Sequence, residues 1–73
     1  MADEKPQKID IGFLGGQVFS TRVAVAELAR LREALPAGAW HDLTAEGGTV
    51  AIDLARVVYL FVDDEEHRVG FGT

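Results

Sequence analysis

The chain contains no cysteine. Disulfides and thiolate metal sites are excluded, and composition leaves the redox compartment open. No apolar run approaches the roughly 20 residues needed to cross a bilayer, and no basic start leads into an apolar segment of the secretory kind. The expectation is a soluble cytoplasmic protein with no membrane partner. Basic residues are in the minority, with seven Lys and Arg against twelve Asp and Glu, for a formal charge of -5. That surplus opposes the counterion release that drives nucleic-acid binding, although a local patch can override the average.

At 73 residues there is room for one core. A domain of this size buries only about 60 % of the surface its extended chain exposes, and one small core supplies roughly 3–5 kcal/mol. With disulfides excluded, oligomerisation is the simplest remaining supplement. Hydrophobic residues make up 48 % of the sequence, as in folded domains and far above disordered ones.

The most apolar stretch is Val57-Val58-Tyr59-Leu60-Phe61-Val62. It has no Gly or Pro and is β-branched or aromatic except at Leu60, so it reads as the central strand of a small sheet. Residues 1–7 are polar, contain Pro6 and read as a flexible arm ahead of one domain over 8–73. The first strand is expected over Lys8–Leu14, where Ile9, Ile11 and Phe13 alternate with Asp10 and Gly12. Gly15-Gly16 fits a two-residue hairpin turn. The next strand, from Gln17 to Val23, has Phe19, Thr21 and Val23 on one side. The Gly pair lacks the spacing of a dinucleotide or P-loop motif and leads into a strand, which argues against a phosphate loop.

Val25, Leu28, Leu31 and Leu35 recur at helical spacing, so a helix is expected from Val25 to Leu35 with one apolar stripe. Ala24 occupies the N-cap position and cannot accept the free amides of the first turn, while Glu27 stands at the third position of a capping box. Pro36 and Gly38 end the helix. Ala39–Thr44 is ambiguous between strand and loop. Glu46-Gly47-Gly48 makes a turn, and Thr49–Leu54 returns with Val50, Ile52 and Leu54 inward. Asp53–Arg56 forms a corner into the apolar strand, Asp63–Glu66 a solvated turn, and Arg68–Gly72 a last short strand. The expected fold is α+β: a small antiparallel sheet or half-barrel of about five strands with one helix, in the order β-β-α-β-β-β.

Few residues suggest chemistry. His41 and His67 are the two imidazoles, and Asp42 and Asp53 are carboxylates that folding could bring near them, but no spacing links them into a catalytic arrangement. Asp63–His67 supplies adjacent metal-ligating side chains without the fixed positions and sharp-turn Gly of a calcium loop. A hydrated turn is the better account, and no cofactor or metal is expected. Arg22 and Arg68 could serve a ligand near an exposed sheet face. Phe19, Tyr59 and Phe71 could stack on bases, but the interleaved basic and aromatic pattern of an RNA-binding sheet is missing. Trp40, beside Gly38 and before an acid, can cap the core or anchor an interface. The core role is preferred.

The segment from Val57-Val58-Tyr59 to Arg68-Val69-Gly70-Phe71-Gly72, with Lys8, Ile11 and Gly12 near the start and Leu43, Thr44 and Gly47 in the middle, resembles a family of very small uncharacterised actinobacterial proteins. Gly15-Gly16 and Trp40 depart from that pattern, and Phe61 stands where an acid is usual. The resemblance implies an intracellular actinobacterial domain and brings no catalytic residues with it.

One helix covers one sheet face, whereas the Val57–Val62 strand is apolar on two. Val58, Leu60 and Val62 are expected on the uncovered side, forming an interface to which Trp40 can contribute. The expected function is non-catalytic: a homo-oligomeric scaffold or protein-binding module. The alternative is a small-ligand or nucleic-acid module using Arg22 or Arg68.

Overall fold

A computed structural model of the protein describes residues 5–63. It contains strands β1 (Gln7–Phe13) and β2 (Val18–Val23), helix α1 (Val25–Ala34), and strands β3 (Trp40–Ala45), β4 (Gly48–Asp53) and β5 (Val57–Asp63). Short 3-10 turns at Leu35–Ala37 and Leu54–Arg56 follow α1 and β4. The α+β class, the single helix, the antiparallel pairing and the element order are those expected. Gln7, assigned to the arm, is already part of β1. The anticipated Arg68–Gly72 strand, with His67 and most of the acidic turn, lies outside the described residues.

Two features of the sheet differ from expectation. The described strands form two hydrogen-bonded sheets, β2-β1-β5 and β3-β4. The middle strand of the larger one is β1, and among the described residues β5 lies at its edge. Length of apolar run does not decide which strand is central. β1 sits there because β2 follows it through a tight turn and β5 returns to its other side, even though Asp10 and Gly12 make it the less apolar strand.

The β1–β2 register pairs Ile9 with Thr21 and Ile11 with Phe19, and Phe13 N–H donates to the Gln17 carbonyl at 2.8 Å. The connection is therefore the three residues Leu14-Gly15-Gly16, one longer than the expected Gly pair. Gly16 N–H donates to the Phe13 carbonyl, and Gly15 at φ 95° supplies the positive φ that a type II turn needs at its third position. Leu14 is drawn into the loop, and its N–H donates to the Arg56 carbonyl at 2.9 Å.

Both sheets, the helix and the second 3-10 turn contribute to the core. Ile9, Ile11 and Val23 come from the larger sheet, Leu28 and Leu31 from α1, Leu43 and Ile52 from the β3-β4 hairpin, and Leu54 from the second 3-10 turn. The ambiguous Ala39–Thr44 stretch is strand, with β3 over Trp40–Ala45, and Leu43 pairs with Val50 and His41 with Ile52, as the inward alternation expected of Val50 and Ile52 requires. Two further backbone bonds join the parts at their corners. Glu46 N–H donates to the Arg22 carbonyl at 2.9 Å, and Leu54 N–H donates to the Ala39 carbonyl at 3.1 Å.

Helix α1 begins without a side-chain cap at Ala24, as its sequence implies. Glu27 does not turn back to close a capping box. Its carboxylate pairs with Arg30 one turn on and accepts the Thr44 N–H of β3 at 3.3 Å. The side chain thereby ties the first turn of the helix to β3, whose other edge is paired with β4. Glu27→Ala is expected to cost about 0.5–1 kcal/mol and to speed hydrogen exchange at the Thr44 amide. Glu27→Gln keeps an acceptor for that amide and should recover part of the protection, which heteronuclear NMR would read directly.

A candidate association surface on the outer strand

The register of β5 on β1 assigns its faces. Ile9 pairs with Val62 and Ile11 with Leu60, so Leu60 and Val62 share the core side and pack against the buried cluster. Asp10 pairs with Phe61 and Gly12 with Tyr59, which places both aromatic rings on the opposite, outer face. The uncovered set is thus Tyr59 and Phe61, at 48 % and 53 % exposure, and not the expected Leu60 and Val62. The reason is the pairing with β1: its buried isoleucines fix which parity of β5 turns inward.

Val58 is a separate case. The register shifts by one between Gly12 and Phe13, so that Phe13 pairs with Val57 and Val58 is left without a directly opposed residue. Val58 is 60 % exposed, and the expectation that it is uncovered agrees with this. Trp40 is 70 % exposed on the outer side of the β3-β4 hairpin, opposite Asp53, so the preferred core role is corrected. Its strand alternates with Leu43 inward, which turns Trp40 away from the apolar cluster.

Tyr59 does not stand free of the sheet. A Cβ built on Gly12 would lie 2.1 Å from Tyr59 Cε2, so the ring lies across the bare backbone of that glycine. The missing side chain is the seat of the aromatic one. Gly12→Ala forces the ring end to swing away, because the ring is the movable partner. The expected cost is about 1 kcal/mol, read by urea titration, together with loss of the ring-current shift on residue 12 in the proton spectrum.

The outer face also carries charge. Lys8 pairs with Arg22 on one side and with Asp63 on the other, forming one cross-strand row. The next rows are Ser20-Asp10-Phe61 and Val18-Gly12-Tyr59, so the face grades from charged at one end to apolar at the other. Arg22, the arginine considered for ligand binding, belongs to the charged end. Arg68 lies outside the described residues.

On the inner side of the same edge, a groove of about 720 Å³ runs between β5 and the end of α1, lined by Arg32, Leu35, Pro36 and Leu54 together with Val57–Leu60 and Val62. Arg32 is the one charged residue among those that line it, and polar and apolar atoms share its surface almost equally. The grouped chemistry considered from the sequence does not assemble there. Asp53 caps the Leu54–Arg56 turn, accepting from Ala55 N–H at 3.1 Å and Arg56 Nε at 3.2 Å. His41 faces the core side of the hairpin, where its Nε2 is buried without a hydrogen-bond partner, while Asp42 follows on the other face. Among the described residues there is no group of three or more His, Cys, Asp or Glu placed to hold a metal ion. No helix among them is long and apolar enough to cross a membrane.

No protein-family model matches the chain, and neither a curated protein nor a solved structure matches it.

Proposed function

We propose that this chain is a non-catalytic association module whose partner is another copy of itself. The observation that carries this reading is the pair of rings on β5. Tyr59 and Phe61 are about half exposed on a strand that has no pairing partner on its outer side among the described residues. Val58 adds apolar surface at the same edge, so the exposed patch is contiguous along one strand and differs from singly scattered surface hydrophobics. Burying such a patch against a second copy supplies stability that a core of eight buried hydrophobic residues, counted among those described, provides only marginally.

The test is solution mass across concentration, by light scattering or sedimentation from the low micromolar range upward. Reversible, concentration-dependent doubling of the mass supports the reading. A compact monomer throughout that range overturns it.

A further inference from the structure

We infer that two copies meet edge to edge, β5 against β5 in antiparallel register centred on Leu60, forming one continuous six-stranded sheet from two three-stranded ones; this rests on the self-association proposed above. Three observations lead to that arrangement. First, β1 occupies one edge of β5, and among the described residues the other edge carries no strand. Second, Val57–Val62 holds no charge, in a chain whose formal charge is -5. Like-charged copies approach most easily where neither presents a charge, and this edge has neither the Lys nor the Pro that commonly blunts an exposed strand.

Third, the sequence of β5 is complementary to itself in this register. A two-fold axis through Leu60 sets Tyr59 of one copy opposite Phe61 of the other, and Phe61 opposite Tyr59, on the same outer face. Opposed aromatic residues on neighbouring strands are among the more stabilising cross-strand pairs. A slip of one residue would set outward residues against inward ones, and a slip of two leaves a single aromatic pair, Tyr59 with Tyr59 or Phe61 with Phe61, so the register centred on Leu60 is the one that makes two. On the inner side the same axis sets Leu60 against Leu60 and brings the two grooves beside each other.

The size of the contact sets its strength. Seven paired residues span roughly 23 Å, and a single sheet edge of that length buries less than the roughly 800 Å² per partner of a permanent interface. Association is therefore reversible, with exchange between monomer and dimer at micromolar concentrations.

The absence of cysteine makes the register directly testable. Tyr59→Cys and Phe61→Cys, mixed in equal amounts and mildly oxidised, put two thiols directly opposite one another, near the Cβ separation that a disulfide accepts, while leaving the second aromatic pair intact. Linked heterodimer is expected to exceed the product of either variant alone by roughly tenfold or more. Ser20→Cys, on the exposed side of β2, serves as the control and should link to neither. Because each cysteine removes an aromatic ring, the unsubstituted protein supplies a second measurement: an isotope-filtered NOE between the Tyr59 ring of labelled copies and the Phe61 ring of unlabelled ones. Selective linkage with that NOE supports the register. A dimer by mass with neither signal overturns the register and leaves self-association standing. A monomer by mass overturns both, and the edge then serves another occupant, such as residues 64–73 of the same chain or an unrelated protein.

Discussion

Leu43→Ala is expected to lower stability by about 2–5 kcal/mol, which in a domain of this size is enough to leave much of the population unfolded. Leu43 is fully buried, and with Ile52 it carries the inward side of the β3-β4 hairpin into a cluster shared with β1, β2 and α1. Among the described residues β3 and β4 pair only with each other, so their attachment to the rest of the fold depends on this packing, the Glu46–Arg22 and Leu54–Ala39 backbone bonds and the Glu27–Thr44 contact. Urea unfolding followed by far-ultraviolet circular dichroism gives the value. An exposed substitution on the same hairpin, such as Thr49→Ala, is the comparison and should stay within about 0.5 kcal/mol. Equal effects from the two would place the hairpin outside the cooperative unit.

Phe61→Asp is expected to do the opposite: to lower the stability of a single copy by no more than about 1 kcal/mol, chiefly because the new carboxylate faces Asp10 across the β1–β5 pair, and to remove association. Half of the Phe61 side chain is already in water, so little apolar burial is lost with it. In the paired edge, however, each substitution acts twice. Two carboxylates would be placed against the rings of Tyr59, close to the symmetry axis. The dissociation constant should rise by about 100-fold or more, corresponding to roughly 3 kcal/mol, as for removal of a central aromatic anchor. Sedimentation at several concentrations measures that change, and urea unfolding at low concentration checks that the monomer is intact. A variant that still dimerises with unchanged affinity would place the contact away from β5.

The two substitutions also mark what the sequence made legible. Alternation identified the inward residues of β1, β2 and β4, and the three-four spacing located α1 within one residue of its end. Local patterns report on faces, and faces are what they recovered. Neighbours are a different matter. Which strand lies between which depends on contacts between distant segments, and apolar content points to β5 as the middle strand whereas β1 holds that place. The parity of β5 failed for the same reason, because only the pairing of Ile9 with Val62 and Ile11 with Leu60 determines which residues turn inward. The β-bulge at Val58 left no local signature.

Single side chains were harder still. Glu27 stood in a capping-box position, but with Ala24 at the cap there was no reciprocal partner, and its carboxylate was available to β3. The place of Trp40 after a helix stop and beside Gly38 suits a cap on the core, but its alternation with Leu43 sets the two on opposite faces. Gly12 looked like an ordinary alternating position. Its role beneath Tyr59 becomes visible only when the two strands are side by side.

The position of Trp40 has a practical outcome for anyone following this protein by its own light emission. The sole indole already faces solvent in the native state, so denaturant alters its surroundings little and the wavelength of maximum emission should barely move. The same placement makes it a sensitive reporter of anything that settles over the outer side of the hairpin, where a blue shift would signal contact without any change in the fold.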